Sequence, residues 1–205
     1  FLGVRVTLTN DDGYRDDSGV NQEKLSFRHA YVGGSLNYNT GLTLINLNQE
    51  TAGYIVGKDS FRSQENAKQN PNPEAFRDAQ ALRIWSKIRG ELPFGSLLVT
   101  PYFRKTEMDF LQHFLPGKPL EENGQRSFGV QLSLLSQSSA RLNFTSGIDL
   151  EYTNGYLRQT QNSPTQGSAF LRATIPKTVV NITSAKIATG LSIQSLIKFF
   201  IFCFS

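Results

Sequence analysis

Apolar and polar side chains alternate along most of this chain, and a period of two commits a segment to extended strand with one face of each kind. Val4, Val6 and Leu8 alternate with Arg5, Thr7 and Thr9. Leu25, Phe27 and Tyr31 alternate with Lys24, Ser26 and Arg28, and His29 falls on the apolar side. Leu36, Tyr38, Leu42 and Leu44 face away from Asn37, Asn39 and Thr43; Leu82, Ile84 and Ile88 face away from Arg83, Lys87, Arg89 and Glu91. Phe128, Val130, Leu132 and Leu134 oppose Gln131 and Ser133. Leu142, Phe144, Ile148, Leu150 and Tyr152 oppose Arg141, Asn143, Thr145, Asp149 and Glu151. Two further runs, 96–108 and 168–175, alternate less cleanly, which makes about eight strands.

The connections between these runs take turns. Gly33-Gly34, Leu92-Pro93-Phe94-Gly95 and Gln137-Ser138-Ser139 read as tight turns, because Gly and Pro supply the required backbone angles. Long polar loops lie between them, at roughly 10–21, 48–80, 109–126 and 153–167. In an antiparallel meander this order sends all long loops to one end and all tight turns to the other. Loops of such length are usually functional.

Two architectures accept such ribbons. A soluble barrel, sandwich or binding module turns the apolar face inward, and would recognise glycan or protein through the long loops. A membrane barrel turns the apolar face to lipid and lines its lumen with the polar one. Runs such as 22–32, 81–92 and 140–152 reach the 9–11 residues a spanning strand needs. The reading is therefore all-β: an antiparallel up-and-down meander forming part of a transmembrane β-barrel. Tyr31, Tyr38, Phe94, Tyr102, Tyr152 and Tyr156 lie near strand ends and are expected in its aromatic girdles.

The net charge of +4 and the pI near 9.2 suggest an anionic partner until the charge is located. Residues 177–205 hold Lys177, Lys186 and Lys198 and no acid. Removing those three from 21 leaves 18 Lys and Arg against 17 Asp and Glu, so a nucleic-acid partner is not expected. One cysteine, Cys203, precludes an internal disulfide framework. Met108 is the sole methionine and Phe1 stands first, so the sequence reads as a piece of something longer.

Several loop sequences resemble those of TonB-dependent receptors, the outer-membrane uptake proteins of Gram-negative bacteria. They are Asp12-Gly13-Tyr14-Arg15-Asp16-Asp17-Ser18-Gly19, Asn48-Gln49-Glu50-Thr51-Ala52-Gly53-Tyr54, Asn70-Pro71-Asn72-Pro73-Glu74-Ala75-Phe76-Arg77-Asp78 and His113-Phe114-Leu115-Pro116-Gly117. The resemblance covers roughly residues 4–176. It implies about eight strands of a larger, 22-stranded barrel closed by an N-terminal plug. It further implies import of a scarce nutrient such as a ferric siderophore, haem, cobalamin or carbohydrate. Energy would come from TonB, through a region this sequence does not show. The expected contacts are outer-membrane lipid and a small-molecule nutrient complex, in the cell outer membrane. Residues 177–205 depart from the pattern and are expected to be an atypical apolar tail, frameshifted or truncated.

No catalytic motif occurs, neither G-x-S-x-G, H-E-x-x-H nor a phosphate-binding glycine loop, so a non-enzyme without cofactor is expected. Asp11, Asp12, Asp16 and Asp17 gather four carboxylates that could hold calcium, although their spacing is not that of an EF-hand. A solvated polar turn is the simpler reading. His113, near Met108, sits in an aromatic loop and reads as packing before it reads as a metal ligand. Tyr54, Lys58, Arg62, Arg77, His113, Lys118 and Arg126 are the candidates for ligand contact from the long loops, since Arg and Lys hold anions through charge-assisted hydrogen bonds.

Overall fold

The computed structural model describes residues 1–139, 142–161 and 178–197. Eight strands lie in chain order in one sheet, each antiparallel to the next. They are β1 Leu2–Asp11, β2 Val20–Val32, β3 Leu36–Glu50, β4 Phe76–Leu92, β5 Gly95–Leu111, β6 Leu120–Ser139, β7 Leu142–Thr160 and β8 Thr178–Ile197. The all-β meander read from the alternation is the fold. Strands β4 to β8 run 17 to 20 residues, against five or six in a typical globular sheet.

That length corrects the loop boundaries. Residues 76–80, 109–111, 120–126 and 153–160 read as loop because the regular alternation breaks down there, yet they continue the ladders. Backbone pairing does not need an apolar face, so the strands run on where the alternation fades. The described long connections are 12–19, 51–75 and 112–119, all at one end; 33–35 and 93–94 turn tightly at the other. Segment 51–75 carries a 3₁₀ turn, Ser60–Arg62, and a short helix α1, Gln64–Lys68. Ser63 caps that helix by accepting the Asn66 N–H. The run 168–175 lies outside the described residues, and β8 falls within the stretch 177–205 that the sequence sets apart.

Register decides which side chains share a face, since directly opposed residues point the same way. One row holds Val4, Phe27, Leu42, Ile84, Phe103, Phe128 and Tyr152. The next row, on the other face, holds Arg28, Gly41, Trp85, Tyr102, Gly129 and Glu151. Among the described residues the cleanly alternating apolar positions thus lie on one side of the sheet and the polar ones on the other.

Among the described residues no second layer covers either side. Among the described residues Ala75 is the sole buried hydrophobic side chain. Val4, Leu8, Phe128 and Ile148 are 63, 74, 56 and 45% exposed. A water-soluble domain of this size buries most of its apolar surface in a core, and here the apolar surface is the outside.

The apolar belt also has sloping edges. Its last outward residue before polar ones begin is Leu8 on β1, then Leu25, Leu44 and Leu82 on β2 to β4, then Phe103, Phe128 and Tyr152 on β5 to β7. Leu8 is opposite Glu23, and Leu82 is opposite Lys105. The boundary therefore steps down two rows between β1 and β7, as a level plane does across tilted strands. Barrel strands tilt by about 35–45°. On β4 the stretch from Leu82 to Leu92, at about 3.3 Å per residue and such a tilt, covers about 25 Å.

Candidate functional site

Arg28, Asn39, Arg83, Trp85, Lys87, Thr100, Tyr102, Arg104, Gln131 and Glu151 line a concavity of about 620 Å³ on the polar face. They come from six adjacent strands, β2 to β7, and from three neighbouring rows. Two glycines make the arrangement possible. A Cβ at position 41 would lie 2.7 Å from Cε2 of Trp85, and one at 129 would lie 2.5 Å from the Tyr102 hydroxyl. Each aromatic ring therefore lies flat across a neighbouring strand where any side chain would exclude it.

Trp85 reaches over Gly41 toward Arg28, whose guanidinium carbon stands 5.6 Å from the indole centroid. The Lys87 ammonium stands 5.8 Å from the same ring. Tyr102 reaches over Gly129, and its hydroxyl donates to the Glu151 carboxylate. Arg104 Nη2 donates to both oxygens of Glu151, at 2.8 and 2.9 Å, and the Arg104 guanidinium carbon lies 5.3 Å from the Tyr102 ring centroid. Thr153 donates to Glu151 at 2.7 Å. Arg83 is directly opposite Arg104, an unfavourable like-charge pairing on a sheet. The lining carries four cations against one carboxylate, so the concavity attracts anions.

The sequence reading named Arg83 and Lys87 as members of a polar face, without the cluster they join. It placed Tyr102 in an outward aromatic girdle. Tyr102 instead faces the concave side, because its partner across the ladder is Trp85 and not Ile84. Tyr31 and Tyr38 do face outward near the tight-turn end, stacked at 5.5 Å, and His29 lies 5.4 Å from Tyr38.

The loop candidates divide. Tyr54 and Lys58 are exposed in 51–75. Arg62 meets Asp59 at 3.6 Å and the Phe61 ring at 5.7 Å, both within its own turn. Lys118 donates to Glu74 and so joins 112–119 to 51–75. His113 packs edge-on to Phe114 at 5.6 Å, and its Nδ1 is buried with no hydrogen-bond partner among the described residues. Arg77 and Arg126 are not loop residues: Arg77 lies on β4, donating to Gln49 at 2.6 Å, and Arg126 lies on β6 on the outward face.

The end that carries the long connections is stapled. Arg15 of the first connection donates to the carbonyls of Gln69 and Gly53 in 51–75. Asn70 donates to the Asp17 carbonyl at 2.8 Å, and Asp16 N–H to the Lys68 carbonyl at 2.8 Å. Asp11, Asp12 and Asp17 border a depression of about 430 Å³ together with Glu50 and Asp78, while the Asp11 carboxylate accepts the Gly13 N–H. Among the described residues no three acids, histidines or cysteines are grouped closely enough to hold a metal ion.

No protein-family model matches the chain, and no curated protein does. By shape it is similar to the ferric citrate transporter FecA in the unliganded form, at 11% identity and a TM-score of 0.68. That match covers 97% of this chain and 30% of the other. It is also similar to the ferric-catecholate import receptor Fiu from E. coli K12 in an open form, at 9% identity and a TM-score of 0.43, over 95% of this chain and 46% of that one. The likeness to TonB-dependent receptors is thus present in the fold, and this chain spans less than a third of FecA's length.

Proposed function

We propose that this chain is a wall segment of an outer-membrane uptake receptor of the TonB-dependent kind, and that its concave face borders the passage of an anionic ferric chelate. The observation that carries the reading is the inversion of the sheet: long strands expose an oblique apolar belt outward and gather charge inside. In lipid such a belt is the stable arrangement, and β2 to β7 each pair their backbone with a strand on either side. A soluble glycan- or protein-binding module would place Leu82, Ile84 and Ile88 inside, and the described residues form no core to support it.

The solved structure this chain matches at a TM-score of 0.68 is a ferric citrate transporter, and a ferric chelate rich in carboxylate oxygens suits four cations beside two aromatic rings. The chain supplies binding and guidance rather than covalent chemistry. Energy for transport would come from TonB acting on another part of the complete receptor. The long connections 51–75 and 112–119 lie at the end where a chelate would first arrive, with Tyr54, Lys58 and Lys118 on them.

The test is uptake of radioactive iron by iron-starved cells expressing the complete receptor, supplied as ferric citrate or as a ferric catecholate. Replacing Arg28, Arg83 and Lys87 together by Gln should cut uptake at least tenfold while the protein stays in the outer-membrane fraction with the gel mobility of a folded barrel. Undiminished uptake of every ferric chelate would remove the concave face from the passage. Recovery of the wild-type protein in the soluble fraction would remove the membrane reading altogether.

A further inference from the structure

The outward face carries a feature that passage through the interior does not use. One row above Phe103, Phe128 and Tyr152, Lys105 stands directly opposite Arg126, although like charges opposed on a sheet repel. Lys105 has a partner in Glu107 at 2.9 Å. The Arg126 side chain makes no hydrogen bond or ion pair among the described residues. One row further up, the Tyr156 ring lies across Gly124, where a Cβ would come within 2.4 Å of its Cε1. The result is a hollow of about 280 Å³ whose outward lining includes Lys105, Glu107, Gly124, Arg126, Asn154 and Tyr156.

We propose that this hollow binds the phosphate of an acyl-chain-bearing lipid of the outer leaflet. The inference rests on the membrane reading above, because it needs the belt to lie in lipid. Arg126 offers a planar fork that matches phosphate, with Lys105 as a second point charge. Directly below, the Phe128 and Tyr152 rings meet at 5.3 Å, and Val130, Leu132, Ile148 and Leu150 continue the apolar face downward. A lipid with its phosphate at Arg126 lays its chains on those residues, whereas a free anion gains nothing from them. The next outward row but one holds Asp78, Asp109 and Glu122, which repel an anion and confine it to the level of Lys105. Aromatic rings at the top of the belt and cations just above them mark the height of the headgroups.

The experiment uses the complete receptor, purified from outer membranes in mild detergent, stripped of lipid and reloaded with three probes. The probes are lipid A with both phosphates, lipid A freed of phosphate, and inorganic phosphate as competitor. Wild-type protein should retain the phosphorylated form about tenfold better than the dephosphorylated one. The double variant Lys105→Ser/Arg126→Ser should lose that preference, and Arg158→Ser should keep it, since Arg158 is paired with Glu122. Equal retention of both lipid forms by wild-type protein would overturn the proposal without relying on any variant. Displacement of the lipid by millimolar inorganic phosphate would also overturn it, leaving a site for free anions. Failure of the wild-type protein to reside in the outer membrane would sink the membrane reading first, and is scored separately by fractionation.

Discussion

The Tyr102 hydroxyl on β5 donates to the Glu151 carboxylate on β7 across the whole width of β6. The two residues share a row whose middle member is Gly129. A tyrosine can bridge two ladder spacings only where the intervening strand has no side chain.

Filling that gap should therefore act on the bridge. Gly129→Val should displace the Tyr102 ring and leave both Glu151 and Arg104 poorly paired. Losing a hydrogen bond to a charged group costs about 1.5–3 kcal/mol, and Tyr102→Phe should cost less than Gly129→Val because the ring stays in place. Thermal unfolding of the complete receptor, followed by loss of its folded-barrel gel mobility, measures both. A Gly129→Val protein as stable as wild type would show that the bridge is dispensable.

Neighbouring residues on β6 separate the two faces. Leu132→Arg places a charge on the outward belt and should destabilise the folded barrel by about 2–4 kcal/mol near mid-bilayer. Gln131→Arg, one residue away, faces the concavity and should insert almost normally. Comparing the two in an assembly assay into lipid vesicles decides the orientation, and equal damage would contradict it.

Arg15 holds two of the long connections together through the carbonyls of Gln69 and Gly53. Removing it should loosen 51–75 without touching the strands. We expect Arg15→Ala to speed tryptic cleavage after Lys58, Arg62 and Lys68 several-fold, with fragments identified by mass. Unchanged cleavage kinetics would mean that the backbone contacts and Asn70 suffice.

The Lys118–Glu74 pair predicts a pH dependence. The hydrogen bond from Lys118 holds the Glu74 carboxyl below its usual value of 4.5. A carboxyl lowered by folding stabilises the folded form above its unfolded pKa, and that contribution disappears as pH falls through the folded value. Both side chains are nearly half exposed, so the effect on the loop is a few tenths of a kcal/mol. At pH 7, Glu74→Gln should exchange amide hydrogens in 112–119 faster than wild type. Once the pH has fallen below that lowered folded value, the two proteins should exchange alike. A difference that persists there would assign it to packing instead of charge.

Alternation alone was enough to read the meander, the two faces and the common end of the long connections. Side-chain period and turn residues are local properties. The loop limits were misread because outward polarity at Asp109, Glu122, Arg126 and Arg158 looks the same in a loop and in a strand that has risen above an apolar belt. Arg77 and Arg126 were assigned to loops for that reason. Tyr102 was taken for an outward aromatic because the run 96–108 alternates poorly, and the parity of one residue cannot be read where the pattern is weak. The amide of Pro101, which has no hydrogen to donate, falls in the middle of that run.

What the sequence determined by itself is which side chains alternate, since successive residues on a strand must point to opposite faces. What the tertiary structure decided is which of them meet. Arg28, Trp85, Tyr102 and Glu151 are spread over more than a hundred residues, and only the register of six strands puts them in one row. The cluster also depends on Gly41 and Gly129, whose significance is invisible along the chain. Each matters because of the ring that a neighbouring strand lays over it, and that neighbour is chosen by hydrogen-bond pairing between distant segments.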